Sequence, residues 1–179
     1  MQMRSSAYWL FACLAVVALA GLPTVAAADE WGSCVKLSDD LAVAACSRAI
    51  ASGEFRGEEL AKIYANRGTE YKNKGDLDRA IADYSEAIRL DPKYVDAYDN
   101  RGDAWEVKGD LDRAIADYNE AIRLNPKYAS SYFNRGVVRE EKRSLQEAVA
   151  DFETYSQLVP SDPDGRTSVE RVRKKLNAR

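Results

Sequence analysis

No histidine occurs anywhere in this sequence of 179 residues. That removes the commonest general base and the commonest metal ligand at neutral pH. Nor is there a glycine-rich phosphate loop, a nucleophile elbow or a serine–lysine pair at a recognisable spacing. Cysteine is scarce, with three residues, and two cysteines without histidine cannot assemble a usual zinc shell. Excess positive charge is missing too. Lys and Arg number 26 against 29 Asp and Glu, giving a net charge of −3 and no basic stripe, which argues against nucleic acid as a partner. The acidic pairs Asp39-Asp40, Glu58-Glu59 and Glu140-Glu141 fit solvated helix faces, with Asp83 expected beside Arg79 on one helix. Catalysis is not expected, and neither is a cofactor or metal.

Long apolar runs are absent except at the start. Arg4 is a short positive region, Ala7–Leu22 an apolar run, and Ala26-Ala27-Ala28 a small-residue cleavage site before Asp29. Residues 1–28 therefore read as a cleaved signal peptide, and the chain as exported, periplasmic or secreted in a bacterium. A retained anchor is the alternative, because the run is marginal for a membrane span; Leu10-Phe11-Ala12-Cys13 matches a lipoprotein site poorly. After cleavage no firm membrane span remains. Loss of Arg4 takes the net charge from −3 to −4.

What is present is repetition. A block of 34 residues occurs twice in succession, with about two-thirds of positions 61–94 identical in 95–128. Tyr64, Gly68, Tyr71, Ala80, Tyr84, Ala87 and Pro92 return as Tyr98, Gly102, Trp105, Ala114, Tyr118, Ala121 and Pro126. A third, worn copy keeps Tyr132, Gly136, Ala148, Phe152 and Pro160. Ala80, Ile81, Tyr84, Ala87 and Ile88 follow the three-and-four spacing of one helical face. Gly75-Asp76 and Gly109-Asp110 supply a left-handed helix end followed by a new N-cap, so each repeat is two helices around a tight turn. Asp91-Pro92 and Asn125-Pro126 suggest further helix starts. Small residues at Gly68/Ala80 and Gly102/Ala114 let the two axes approach closely.

These residues, at these spacings, resemble the tetratricopeptide repeat. The resemblance implies an all-α, right-handed solenoid of helical hairpins over 61–94, 95–128 and 129–162. A degenerate half-repeat over 29–57 would cap one end and a helix over 163–179 the other. It departs from the family where Arg67, Arg101 and Arg135 replace the usual Leu, which suggests a wetter surface there. The third copy also has Arg139 for an aromatic and Arg143 for the loop Gly. The repeat register puts Cys46 on the core face of a helix spanning about 40–52, with Cys34 in the segment leading into it. A Cys34–Cys46 disulfide is expected after export, contributing about 3 kcal/mol, with a buried thiol pair or a metal site as the rivals.

The family resemblance further implies a concave groove lined by the first helix of each repeat, where ligand peptides lie extended. By register the groove residues are Lys62, Ala65, Asn66, Thr69, Lys72 and Asn73, then Asp96, Asp99, Asn100, Asp103 and Glu106. The third repeat adds Ser130, Phe133, Asn134, Val137 and Glu141. Asn66, Asn100 and Asn134 form a ladder able to pair with any peptide backbone, unless they serve only local helix hydrogen bonds. The acidic centre favours a protein or peptide with a polar or basic segment. Binding of an acidic C-terminal peptide is not expected, since Ser130 and Asn134 occupy the slots that would need Lys or Arg. The implied function is a non-catalytic binding module of the cell envelope. A structural or assembly role through Phe152, Tyr155 and the basic C-terminal helix is the alternative, with an accessory enzyme role weaker still. The oligomeric state stays open.

Overall fold

The structure, a computed structural model, describes residues 25–36 and 38–178. Among them are nine helices and no strand: α1 (Val25–Lys36), α2 (Asp39–Ser52), α3 (Gly57–Asn73), α4 (Leu77–Leu90), α5 (Val95–Val107), α6 (Leu111–Leu124), α7 (Ala129–Glu141), α8 (Leu145–Leu158) and α9 (Pro163–Asn177). Consecutive helices pack as antiparallel hairpins, α3/α4, α5/α6 and α7/α8, stacked into an all-α solenoid as the repeat period requires. The signal-peptide reading falls outside the described residues except for Val25–Ala28, which lie in α1.

The short turns form as their chemistry dictates. Gly75 and Gly109 sit at φ 77° and 84°, in the left-handed region. The carboxylates of Asp76 and Asp110 then accept the backbone N–H of Arg79 (3.2 Å) and Arg113 (3.1 Å), starting α4 and α6. In the third repeat Arg143 takes the same conformation at φ 64°. The Asp-Pro and Asn-Pro pairs behave differently from the expectation. Asp91 and Asn125 follow the ends of α4 and α6, and their side chains accept the N–H of Lys93 and Lys127 two residues on. They close turns, and the next helices begin later, at Val95 and Ala129.

Within each hairpin a glycine faces an aromatic ring. A Cβ on Gly68 would lie 3.0 Å from the Tyr84 ring and 3.2 Å from the Ala80 carbonyl oxygen. On Gly102 it would lie 2.7 Å from Tyr118, and on Gly136 2.9 Å from Phe152. Tyr84, Tyr118 and Phe152 are fully buried and fill the hairpins' centres.

The arginine slot is not a wet surface. Arg67 grips both carboxylate oxygens of Asp83 (2.7 and 2.8 Å) and donates to Ser47 Oγ at 3.0 Å. Arg101 does the same with Asp117 and Ser85, and Arg135 with Asp151 and Asn119. Each guanidinium thus ties its own hairpin to the second helix of the hairpin before it. Asp83, Asp117 and Asp151 are buried, so the pairs are bidentate and largely sheltered from water. Arg79 instead turns back to Asp76, and Asp83 is not its partner.

At the first end the cap is a full hairpin instead of a half-repeat. Cys34 lies within α1, not in a lead-in segment, and Cys46 faces it from α2. Their Cα atoms are 4.7 Å apart and the sulfurs are joined as a disulfide. Both are buried beside Phe55 and Ile63, with Trp31 packed alongside. At the other end Asp162 caps α9 ahead of Pro163, and Val169 and Val172 cover Leu145, Ala148 and Phe152.

Candidate functional site

Helices α3, α5 and α7 are the first helices of their hairpins, and their exposed sides form one continuous surface. Lys72 Nζ on α3 reaches Asp103 Oδ2 (3.0 Å) and Asn100 Oδ1 (3.4 Å) on α5. From α7, Asn134 Nδ2 donates to Asp103 Oδ1 at 3.1 Å. Beneath them the Tyr118 hydroxyl lies 2.9 Å from both Asp103 Oδ1 and Glu106 Oε2. One polar network therefore crosses three helices and knits the surface together.

Beside this network is a pocket of about 510 Å³, walled by Lys72, Asn73, Asp103, Glu106, Val107, Phe133, Asn134 and Val137. Phe133 is held from behind by Phe152 (centroids 5.4 Å apart) and Tyr155 (4.9 Å). Val107, 71% exposed, was absent from the groove residues inferred from sequence. The register could have supplied it, because it stands one repeat from both Asn73 and Glu141.

The remaining groove residues fall in different settings. Lys62, Asp96, Ser130 and Glu141 are exposed, while Asn66 and Thr69 are half-buried. Thr69 is hydrogen-bonded to the Tyr84 hydroxyl at 3.1 Å. Asn66 makes no side-chain hydrogen bond among the described residues, so only two asparagines of the ladder are tied into internal bonds. Asp99 is 6% exposed and accepts a hydrogen bond from the buried Ser131 hydroxyl at 2.5 Å. Its carboxyl is pushed up to about 6, chiefly by burial, with the nearby charges of Asp103 and Asp96 adding and Ser131 and Lys72 opposing. Asp99 thus lies beneath the surface of α5 instead of on it. Burial also raises Glu106, with help from Asp103 and Glu141 and against the Tyr118 hydrogen bond.

The basic helix at the far end is less free than its composition suggests. Arg171 and Lys175 both grip Glu140 on α7, and Arg173 pairs with Glu153 on α8. These pairs hold α9 down as a cap. Among the described residues no group of three or more Cys, Asp or Glu is placed to hold a metal ion. No described helix is long and apolar enough to cross a membrane.

Models of the tetratricopeptide repeat match residues 66–129 and 104–177. The chain belongs to the tetratricopeptide-repeat family. Solved structures of such repeats share its fold. The first repeat domain of Spaghetti (RPAP3), solved bound to the HSP90 peptide SRMEEVD, is 26% identical with a TM-score of 0.66, over 68% of this chain and 97% of that one. The Arabidopsis OM64 domain is also 26% identical, with a TM-score of 0.64 over 66% of this chain and 98% of its own. The second domain of human RPAP3, in complex with the HSP70 peptide SGPTIEEVD, is 27% identical with a TM-score of 0.59, over 63% and 98%. No curated protein sequence matches this tetratricopeptide-repeat chain.

Proposed function

We propose that this tetratricopeptide-repeat chain binds an extended segment of another protein in the groove of α3, α5 and α7, without catalysing a reaction on it. The observation that carries the reading is the pocket between Lys72 and Val137, in which apolar walls adjoin half-buried carboxylates across three helices. A surface already cross-linked by Lys72, Asp103 and Asn134 loses little freedom on binding, which favours affinity. The Spaghetti and human RPAP3 domains hold peptides ending in acidic residues. Here Glu106, Asp96 and Glu141 leave the centre acidic, so the segment is polar or basic and acidic tails are rejected. Export to the envelope belongs to the same proposal, supported by the apolar N-terminal run and by the buried Cys34–Cys46 pair.

A random dodecamer display library panned on the full-length chain tests this. The control is a Val107→Lys/Asn66→Ala variant of equal helicity, which sets a cation beside Glu106; neither native side chain is fully buried or hydrogen-bonded among the described residues. Peptides selected by the native chain and lost by the variant support the groove. Equal retention by both moves binding elsewhere and overturns it, as does the absence of any selected peptide.

A further inference from the structure

The hydrogen bonds around Tyr118 do not balance. Its hydroxyl has one proton, yet two carboxylates, Asp103 and Glu106, each lie 2.9 Å from it. Asp103 has two further donors, Lys72 and Asn134. Among the described residues Glu106 has none beyond its share of that single proton. It also lines the pocket, beside the aliphatic side chains of Val107 and Val137 and the ring of Phe133. A long apolar wall ending at an under-compensated carboxylate has a definite complement.

We propose that this pocket is a specificity site for one basic side chain, arginine or lysine, of the bound segment. Its methylene stem lies along Val107, Phe133 and Val137, and its cationic head pairs with Glu106. Such side chains carry an apolar stem and a charged tip, matching both halves of the pocket. Lys72, the one cation among the described residues of the wall, is already neutralised by Asp103 at 3.0 Å and leaves the Glu106 charge unanswered. Glu141, exposed at the end of α7, adds attraction at the rim. An acidic side chain would be repelled by Glu106, and an apolar one would leave that carboxylate half-buried and without its cation.

The inference rests on the groove reading, so the experiment must separate the two. A peptide selected by the full-length chain is scanned position by position, and the best basic peptide and its Gln replacement are titrated against native chain and Glu106→Gln. Gln keeps the acceptor for Tyr118 and the side-chain volume, so the fold is retained. At one position Arg or Lys should bind at least about tenfold more tightly than Gln. Glu106→Gln should abolish that preference while the Gln peptide changes by less than about twofold. Selected peptides without a basic preference, or a preference untouched by Glu106→Gln, overturn this site and leave the groove standing. Peptides that also bind the Val107→Lys/Asn66→Ala variant overturn both.

Discussion

Replacing Asp99 by asparagine should stabilise the chain at neutral pH. The carboxyl is buried beneath Ser131, and its pKa rises from an ordinary 3.8 to about 6. A raised carboxyl contributes stability below the unfolded-state pKa and loses it as pH climbs through the folded value. Between pH 3.8 and about 6 the unfolded chain therefore gives up its proton first, and stability falls. At 1.36 kcal/mol per pH unit the ceiling of that loss is roughly 3 kcal/mol. Asparagine never ionises and still offers an oxygen to Ser131, so it escapes the penalty but leaves an amide to satisfy. A gain of about 1–3 kcal/mol at neutral pH is expected.

The assay is urea unfolding of native chain and Asp99→Asn from about pH 4 to about pH 8. Only the difference between the two is read, because the other carboxylates titrate alike in both. Glu86, Glu120, Glu140, Asp76 and Asp110, for instance, are all held low by their arginines. The difference should be near zero at the acid end, grow through the interval and level off above about pH 6. A difference that does not vary with pH, or an asparagine variant that is weaker at neutral pH, would refute the assignment of Asp99 as a buried, strained carboxyl.

Other outcomes follow from the same contacts. Arg101→Leu restores the family's usual residue yet strands buried Asp117, and should cost on the order of 3 kcal/mol in chemical denaturation; adding Asp117→Leu should recover most of it. Gly102→Ala puts a methyl 2.7 Å from the Tyr118 ring, which Asp103 and Glu106 hold in place, so overpacking of about 1–3 kcal/mol should outweigh the helix-propensity gain in thermal melts. Arg143→Gly relieves a side chain held at φ 64° and should raise stability by about 1 kcal/mol; an unchanged or lower midpoint contradicts that. Reducing Cys34–Cys46, which closes a separation of 12 residues, should lower the unfolding free energy by about 3 kcal/mol, and a melt insensitive to reductant contradicts it.

The solenoid was legible because its signal is stated almost twice, and Gly68, Gly102, Tyr84 and Tyr118 have one geometric meaning each time they recur. Two of the misread positions, Arg101 and Asp99, share a cause: their partners lie on other helices. Arg101 needs Asp117 and Ser85, 16 residues away on either side, to become a buried staple instead of a wet replacement for Leu. Asp91 before Pro92 satisfies a cap rule, but a turn uses the same side-chain oxygen and wins it. Asp99 reads as a groove acid because nothing in its own helix shows that Ser131 will close over it. Val107 was visible in the register and lies in the pocket as a plain consequence of it.

The groove differs from the rest of the repeat in what it conserves from one unit to the next within this chain. The arginine staple is kept three times over, with only Ser47, Ser85 and Asn119 varying at its third contact. On the opposite side, equivalent positions change: Ala65, Asp99 and Phe133; Thr69, Asp103 and Val137; Asn73, Val107 and Glu141. In the second of these sets the changes are matched by what lies beneath. Thr69 meets the Tyr84 hydroxyl and Asp103 the Tyr118 hydroxyl. In the third repeat Val137 has no polar atom to offer, and the ring below is Phe152, which has no hydroxyl to satisfy. At this position a polar residue thus comes with a hydroxyl under it and the apolar one without, so neither leaves a buried group unpaired. The second repeat takes this furthest, setting two carboxylates against one hydroxyl, and that surplus of acceptors falls where the apolar wall of the third repeat begins.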